Sequence, residues 1–329
     1  MQMPGEALLL KMWETLIEKG IGGLITPFYI PWKEKKLAIG RVEVDKAFRI
    51  ATAKAEQEIA QITDNKTKQI GYNEKLSDEN ETEVSVKDIV LNNDMKRLIR
   101  EEINVANAIN HANSRLIDDD SDIPIEDISQ DWLNTWRDNA SKVSDEDVQS
   151  LWGNVLAQEF LEPGRYSLRL LEFLRTMSKS DALLIEKIAP FISQDWLIYE
   201  RRDSKDNLFN RFNIKESEID FLEEIGILLG VSASGKVATA NNLHENKNGF
   251  LASIKVSKDR IIAISSDHKD KVVQYQLYEV SKIGREVLSL INANINFDYV
   301  VWLGSQFVDD FKVEIFKKNN NDYELEKVL

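Results

Sequence analysis

Along the N-terminal half of the chain, apolar residues return every three or four positions, the spacing that lines one face of an α-helix. Leu9, Met12, Trp13, Leu16 and Ile17 form one such stripe with Glu14, Glu18 and Lys19 off it, which predicts a short amphipathic helix over 6–19. Gly20 to Trp32 turns the chain, and Leu37, Val44, Phe48, Ala51, Ala55, Ile59 and Ile62 predict a longer helix over 34–62. Residues 64–83 are polar and lack the period, so they read as a flexible loop. Ser85 and Asp88 have the spacing of a capping box, which predicts a second long helix ending near Ile117. The two long helices are expected to pair antiparallel, with Asp118, Asp119, Asp120, Asp122 and Pro124 breaking the pattern after them.

From Ile125 to Ile192 the pattern predicts four short helices. The first carries Trp132, Leu133 and Trp136. The second follows a capping box at Ser144 and Asp147 and presents Val148, Leu151, Trp152, Val155 and Leu156 on one stripe. Pro163 and Gly164 end it, and Ser167 stands where it can cap the third helix, with Leu170, Leu171, Leu174 and Met177. Ser178 and Asp181 repeat the box before Leu184, Ile185, Ile188 and Ile192. After 193 the composition changes: 250–256, 260–265 and 272–280 are rich in β-branched residues, and 311–317 with 323–328 flank a turn-forming asparagine run. A mainly α chain with an α+β C-terminal part results: an N-terminal helix and long hairpin over 1–120, a central bundle over 121–193, and a winged-helix-like domain with a small antiparallel sheet over 194–329.

Composition narrows the chemistry. The 329 residues suffice for a large core, and a net charge of −14 argues against a generic nucleic-acid coat. The chain has no cysteine, which removes disulfides, thiolate nucleophiles and cysteine-ligated metals; with no secretory pattern at the N-terminus, a cytoplasmic location is expected. His111, His244 and His268 are far apart and share no metal-ligand spacing, phosphate-binding glycine loops are absent, and neither a catalytic residue, a metal nor a cofactor is expected.

Four places deserve weight. Glu159 continues the Trp152 stripe onto the buried face, where it needs a partner: Arg165, Arg169 or the backbone of Gly164 to Tyr166. Nearby, Gly153 would let another helix approach Trp152 closely. Asn104, Asn107, Asn110 and Asn113 recur at every third position as a polar ridge, either an internal seam or a surface for a partner or a second copy. Gly20 to Trp32, with Lys33, Lys35 and Lys36 behind it, could rest on a membrane surface, although packing against the bundle is the simpler expectation. Between 231 and 275 there are seven Lys or Arg against four Asp or Glu, and Lys255, Lys258 and Arg260 are the candidate nucleic-acid contacts. The helix before this wing opposes that reading, since Glu216, Glu218, Asp220, Glu223 and Glu224 would repel phosphates.

The run Asp131, Trp132, Ser144, Asp145, Glu146, Gln149, Trp152, Gly153, Glu159, Pro163, Gly164 and Ser167 resembles the core of an uncharacterised bacterial family of unknown function. More distantly, the helical core is similar to abortive-infection alpha proteins. That resemblance implies, by analogy alone, a link to bacteriophage defence. The expectation is therefore a non-enzymatic interaction or scaffold protein, an oligomeric subunit of such a system. The alternatives are a nucleic-acid sensor using 231–275 and a hydrolase built on Glu159.

Overall fold

The stripe of the first helix, α1 (Glu6–Glu18), puts Leu9, Met12, Trp13 and Leu16 at 1 % exposure or less in the computed structural model. The structure describes residues 5–26, 41–75, 86–193, 195–201, 206–230, 244–246, 249–267, 273, 275–291, 293–319 and 322–329. They belong to two units, Met1–Arg175 and Thr176–Leu329.

In the first unit α1 ends at Gly20, whose φ of 74° lets the Ile21 N–H reach back to the Leu16 carbonyl at 2.7 Å. Next come α2 (Arg41–Lys75) and α3 (Val86–Leu116), which pack on each other. Phe48 of α2 lies 5.8 Å from Trp13, and Ala47, Ala51 and Ala55 share its buried face. Residues 64–75, expected as loop, continue α2. Lysine, glutamine and glutamate are good helix formers, and extending an existing helix needs no new nucleus. The expected start over 34–40 and the cap at Ser85 lie outside the described residues.

Three further helices of this unit, α4 (Gln130–Ala140), α5 (Glu146–Leu161) and α6 (Leu168–Thr176), are joined by short loops. The cap of α5 is Asp145 rather than Ser144: its carboxylate accepts the Val148 N–H at 3.1 Å, and a negative charge also suits the positive end of the helix. The buried surface of α5 is broader than its stripe, because Val148 is 38 % exposed while Gln149, Gly153, Asn154 and Ala157 are buried. The glycine side of the helix is also covered.

The second unit opens with α7 (Lys179–Ile188), whose capping box is reciprocal: Ser178 Oγ accepts the Asp181 N–H at 3.2 Å and Asp181 accepts the Ser178 N–H at 2.8 Å. Next are β1 (Trp196–Arg201), α8 (Leu208–Phe212), α9 (Glu216–Glu224) and β2 (Leu228–Leu229). Then come β3 (His244–Asn246), β4 (Gly249–Lys255), β5 (Arg260–Ser266) and β6 (Tyr275–Val280). Two helices, α10 (Lys282–Leu290) and α11 (Phe297–Ser305), precede the hairpin β7 (Lys312–Asn319) and β8 (Asp322–Val328). The described strands form two antiparallel sheets where one was expected, in the orders β1-β6-β2 and β3-β4-β5-β7-β8. Ser281 ties β6 to β2: its hydroxyl caps α10 at the Gly284 N–H, 2.8 Å, and donates to the Gly226 carbonyl, 2.5 Å. The chain is thus mainly helical, with small antiparallel sheets in its C-terminal part.

Candidate functional site

The corner between α5 and α6 is assembled around one carboxylate. Glu159 is 2 % exposed; its Oε1 accepts the Gly164 N–H at 2.7 Å and its Oε2 the Tyr166 N–H at 2.8 Å. Of the partners proposed from sequence, the backbone of the turn therefore takes both oxygens, while Arg165 pairs with Glu162 at 2.9 Å. Gly164 has φ 86°, a left-handed conformation that a side chain would strain. Pro163 precedes it, so the turn both stops α5 and aims two N–H groups at Glu159. Trp132 Nε1 donates to the Tyr166 carbonyl at 3.0 Å, so the peptides around Tyr166 are held from both sides. Ser167 Oγ then caps α6 at the Leu170 N–H, 3.3 Å. Trp152 is 1 % exposed and its carbonyl accepts Trp136 Nε1 at 3.0 Å. The chemistry of this constellation is cohesion: each charge-assisted hydrogen bond to Glu159 contributes about 1.5–3 kcal/mol.

Gly153 faces α3. A Cβ there would lie 2.5 Å from the Ala108 carbonyl oxygen and from His111 Cβ, and 2.9 Å from the Ala112 nitrogen, so only glycine permits this approach of α5. The asparagine ridge lies along the same helix. Asn104 donates to the Ser141 carbonyl at 2.7 Å and accepts from Gln149 Nε2 at 3.2 Å. Asn107 and Asn110 are half-buried, and Asn113 is 2 % exposed with neither amide atom hydrogen-bonded.

In the second unit, Lys255 and Lys258 are exposed. Arg260 is engaged: Nε and Nη2 donate to the two Glu326 oxygens at 2.9 and 3.1 Å, Nη1 donates to Asp259 at 3.1 Å, and its guanidinium lies 5.5 Å from the centre of the Phe297 ring. The Glu326 carboxylate raises the Arg260 pKa above its ordinary value. A cavity of about 540 Å³ is lined by Asp206, Arg211, Asp298 and Trp302, and Trp302 Nε1 donates to Asp206 at 2.9 Å. Among the described residues, no three His, Asp or Glu side chains gather as a metal-ligand set. His268 lies outside the described residues. No helix among them is long and apolar enough to cross a membrane. Of the Gly20 to Trp32 segment, Ile21 is 2 % exposed, and Pro27 to Trp32 lie outside the described residues.

One surface escaped the sequence reading. Leu91, Met95 and Leu98 of α3 are 63, 50 and 55 % exposed, with Val90 beside them at 52 %. Their spacing continues through Glu102 to Val105, Ile109, Ala112 and Leu116, one heptad register along the whole helix. The later members are at most 2 % exposed. Glu102 marks the change, bound to Arg137 of α4. The alternation of three and four residues was present in the sequence; the exposure of its first half was not.

These features define a helical protein with an elaborated C-terminal sheet region. A family model described as a protein of unknown function, DUF2806, matches residues 94–304, and the chain belongs to that family. No curated protein and no solved structure matches the chain.

Proposed function

We propose that this chain is a non-enzymatic, cytoplasmic interaction protein that works through helix-mediated protein contacts as part of an oligomeric assembly, of the kind found in anti-phage defence. The observation that carries the reading is the bare first half of the α3 stripe. Leu91, Met95 and Leu98 stand one helical turn apart, half or more exposed, on a register that is buried wherever a helix covers it. Contiguous exposed apolar side chains at this spacing are the signature of a surface for another helix. The acidic character of α9 supports the same reading. The order α7, β1, α8, α9, β2, β6, with β6 between its two partners, is compatible with a winged helix. In the recognition position, however, α9 bears Glu216, Glu218, Asp220, Glu223 and Glu224, which suits a basic protein surface better than a phosphate backbone. Glu159, engaged at both oxygens, serves the corner in this reading.

A photo-reactive amino acid at Met95, and separately at exposed Glu56 of α2, tests the proposal in cells. Protein adducts at position 95 that are missing at 56 and vanish with Leu91→Glu are expected. Identical adduct patterns at the two positions contradict the reading.

A further inference from the structure

We infer that the bare half of the α3 stripe is covered by the same half of a second copy, the two helices lying antiparallel about a two-fold axis at Met95. The inference rests on the reading of that stripe as a protein-contact surface, and names its occupant. The first argument is symmetry. Leu91, Met95 and Leu98 read nearly the same in either direction, leucine at both ends and methionine between them. A two-fold axis at Met95 therefore sets Leu91 against the second copy's Leu98 and Leu98 against its Leu91, the self-complementary arrangement that an isologous dimer requires.

Charge is the second argument. Arg97 and Asp94 form an ion pair of 3.3 Å beside the stripe, with side chains 65 and 55 % exposed. Reversal about Met95 brings each Asp94 within reach of the second copy's Arg97, so one exposed pair within each chain becomes two pairs across the seam. Residues 87–101 carry four basic and three acidic side chains in a chain whose net charge is −14, so this arm approaches its copy without the repulsion that the rest of the molecule would impose. Three or four side chains bury less than the roughly 800 Å² per partner of a stable interface. The dimer is accordingly weak and concentration-dependent.

The full chain has no cysteine, so an introduced one is the only thiol. Purified Met95→Cys treated with a short bismaleimide should give covalent dimer, and Asn93→Cys, on the opposite side of the helix, should give about tenfold less. Adding Leu91→Glu to Met95→Cys should reduce the dimer by a similar factor with an unchanged thermal melt, since Leu91 is 63 % exposed. Arg97→Asp should weaken the dimer, and the exchanged pair Asp94→Arg with Arg97→Asp should restore it. Equal yields at 93 and 95, or no restoration by the exchanged pair, overturn the inference. If position 95 captures other proteins in cells and never a second copy, the contact surface stands and its self-pairing falls; if it captures nothing, both fall.

Discussion

The two halves of α3 share one helix and one heptad register, yet Val105 to Leu116 are sealed and Leu91 to Leu98 are bare. The difference lies in what crosses them. At Ala112, with Ala108 beside it, the stripe meets α5 through Gly153, whose missing side chain permits backbone contact, whereas Leu91 is 63 % exposed. An apolar stripe thus states only that a helix wants a cover. Whether that cover comes from the same chain depends on glycines, caps and corners elsewhere.

The comparison is broken most severely from the α5 side. Gly153→Leu would drive a side chain into the α3 backbone, where neighbouring atoms already lie 2.5 Å from an ideal Cβ, and is expected to cost about 4 kcal/mol or more. Chemical denaturation monitored by tryptophan fluorescence would read it. Glu159→Ala leaves the Gly164 and Tyr166 N–H groups without their carboxylate and should cost about 3 kcal/mol by the same measurement, with Glu159→Gln intermediate because one oxygen remains. On the sealed half, Asn113→Leu replaces an amide that makes no hydrogen bond by an apolar group of similar size, and should be neutral or stabilising by about 1 kcal/mol. On the bare half, Leu98→Ala should leave the stability of dilute protein within about 0.5 kcal/mol of the parent.

Another small effect is a pH dependence away from α3. Glu218 accepts from Lys187 Nζ at 2.6 Å and from the Lys215 N–H at 2.9 Å, and the Lys187 hydrogen bond holds its carboxyl below the ordinary value. A depressed carboxyl contributes stability above its unfolded pKa and loses it as pH falls through the lower, folded value. The pair is partly solvent-exposed and screened by water, so the contribution is under about 1 kcal/mol, and Glu218→Gln should flatten that part of an acid titration of Tm.

Local spacing made much of this architecture readable: the helices of the central block, the cap at Ser178, the turn at Gly164 and the burial of Glu159 all follow from neighbours a few residues apart. What stayed hidden depends on distant partners. Arg260 looked like a free cation until Glu326, 66 positions away, closed on it. Strand β6 reads like β4 and β5 in composition but pairs with β1 and β2, a choice set by topology rather than by residue type. The bare half of α3 was hidden for the same reason, since exposure depends on where α4 and α5 end.

Amide hydrogen exchange along α3 at increasing protein concentration tests the central claim most directly. Amides over 104–116 should be protected at every concentration, and those over 90–100 should gain protection as concentration rises, with Leu91→Glu abolishing the gain. Protection over 90–100 that is independent of concentration and unaffected by Leu91→Glu would contradict the account.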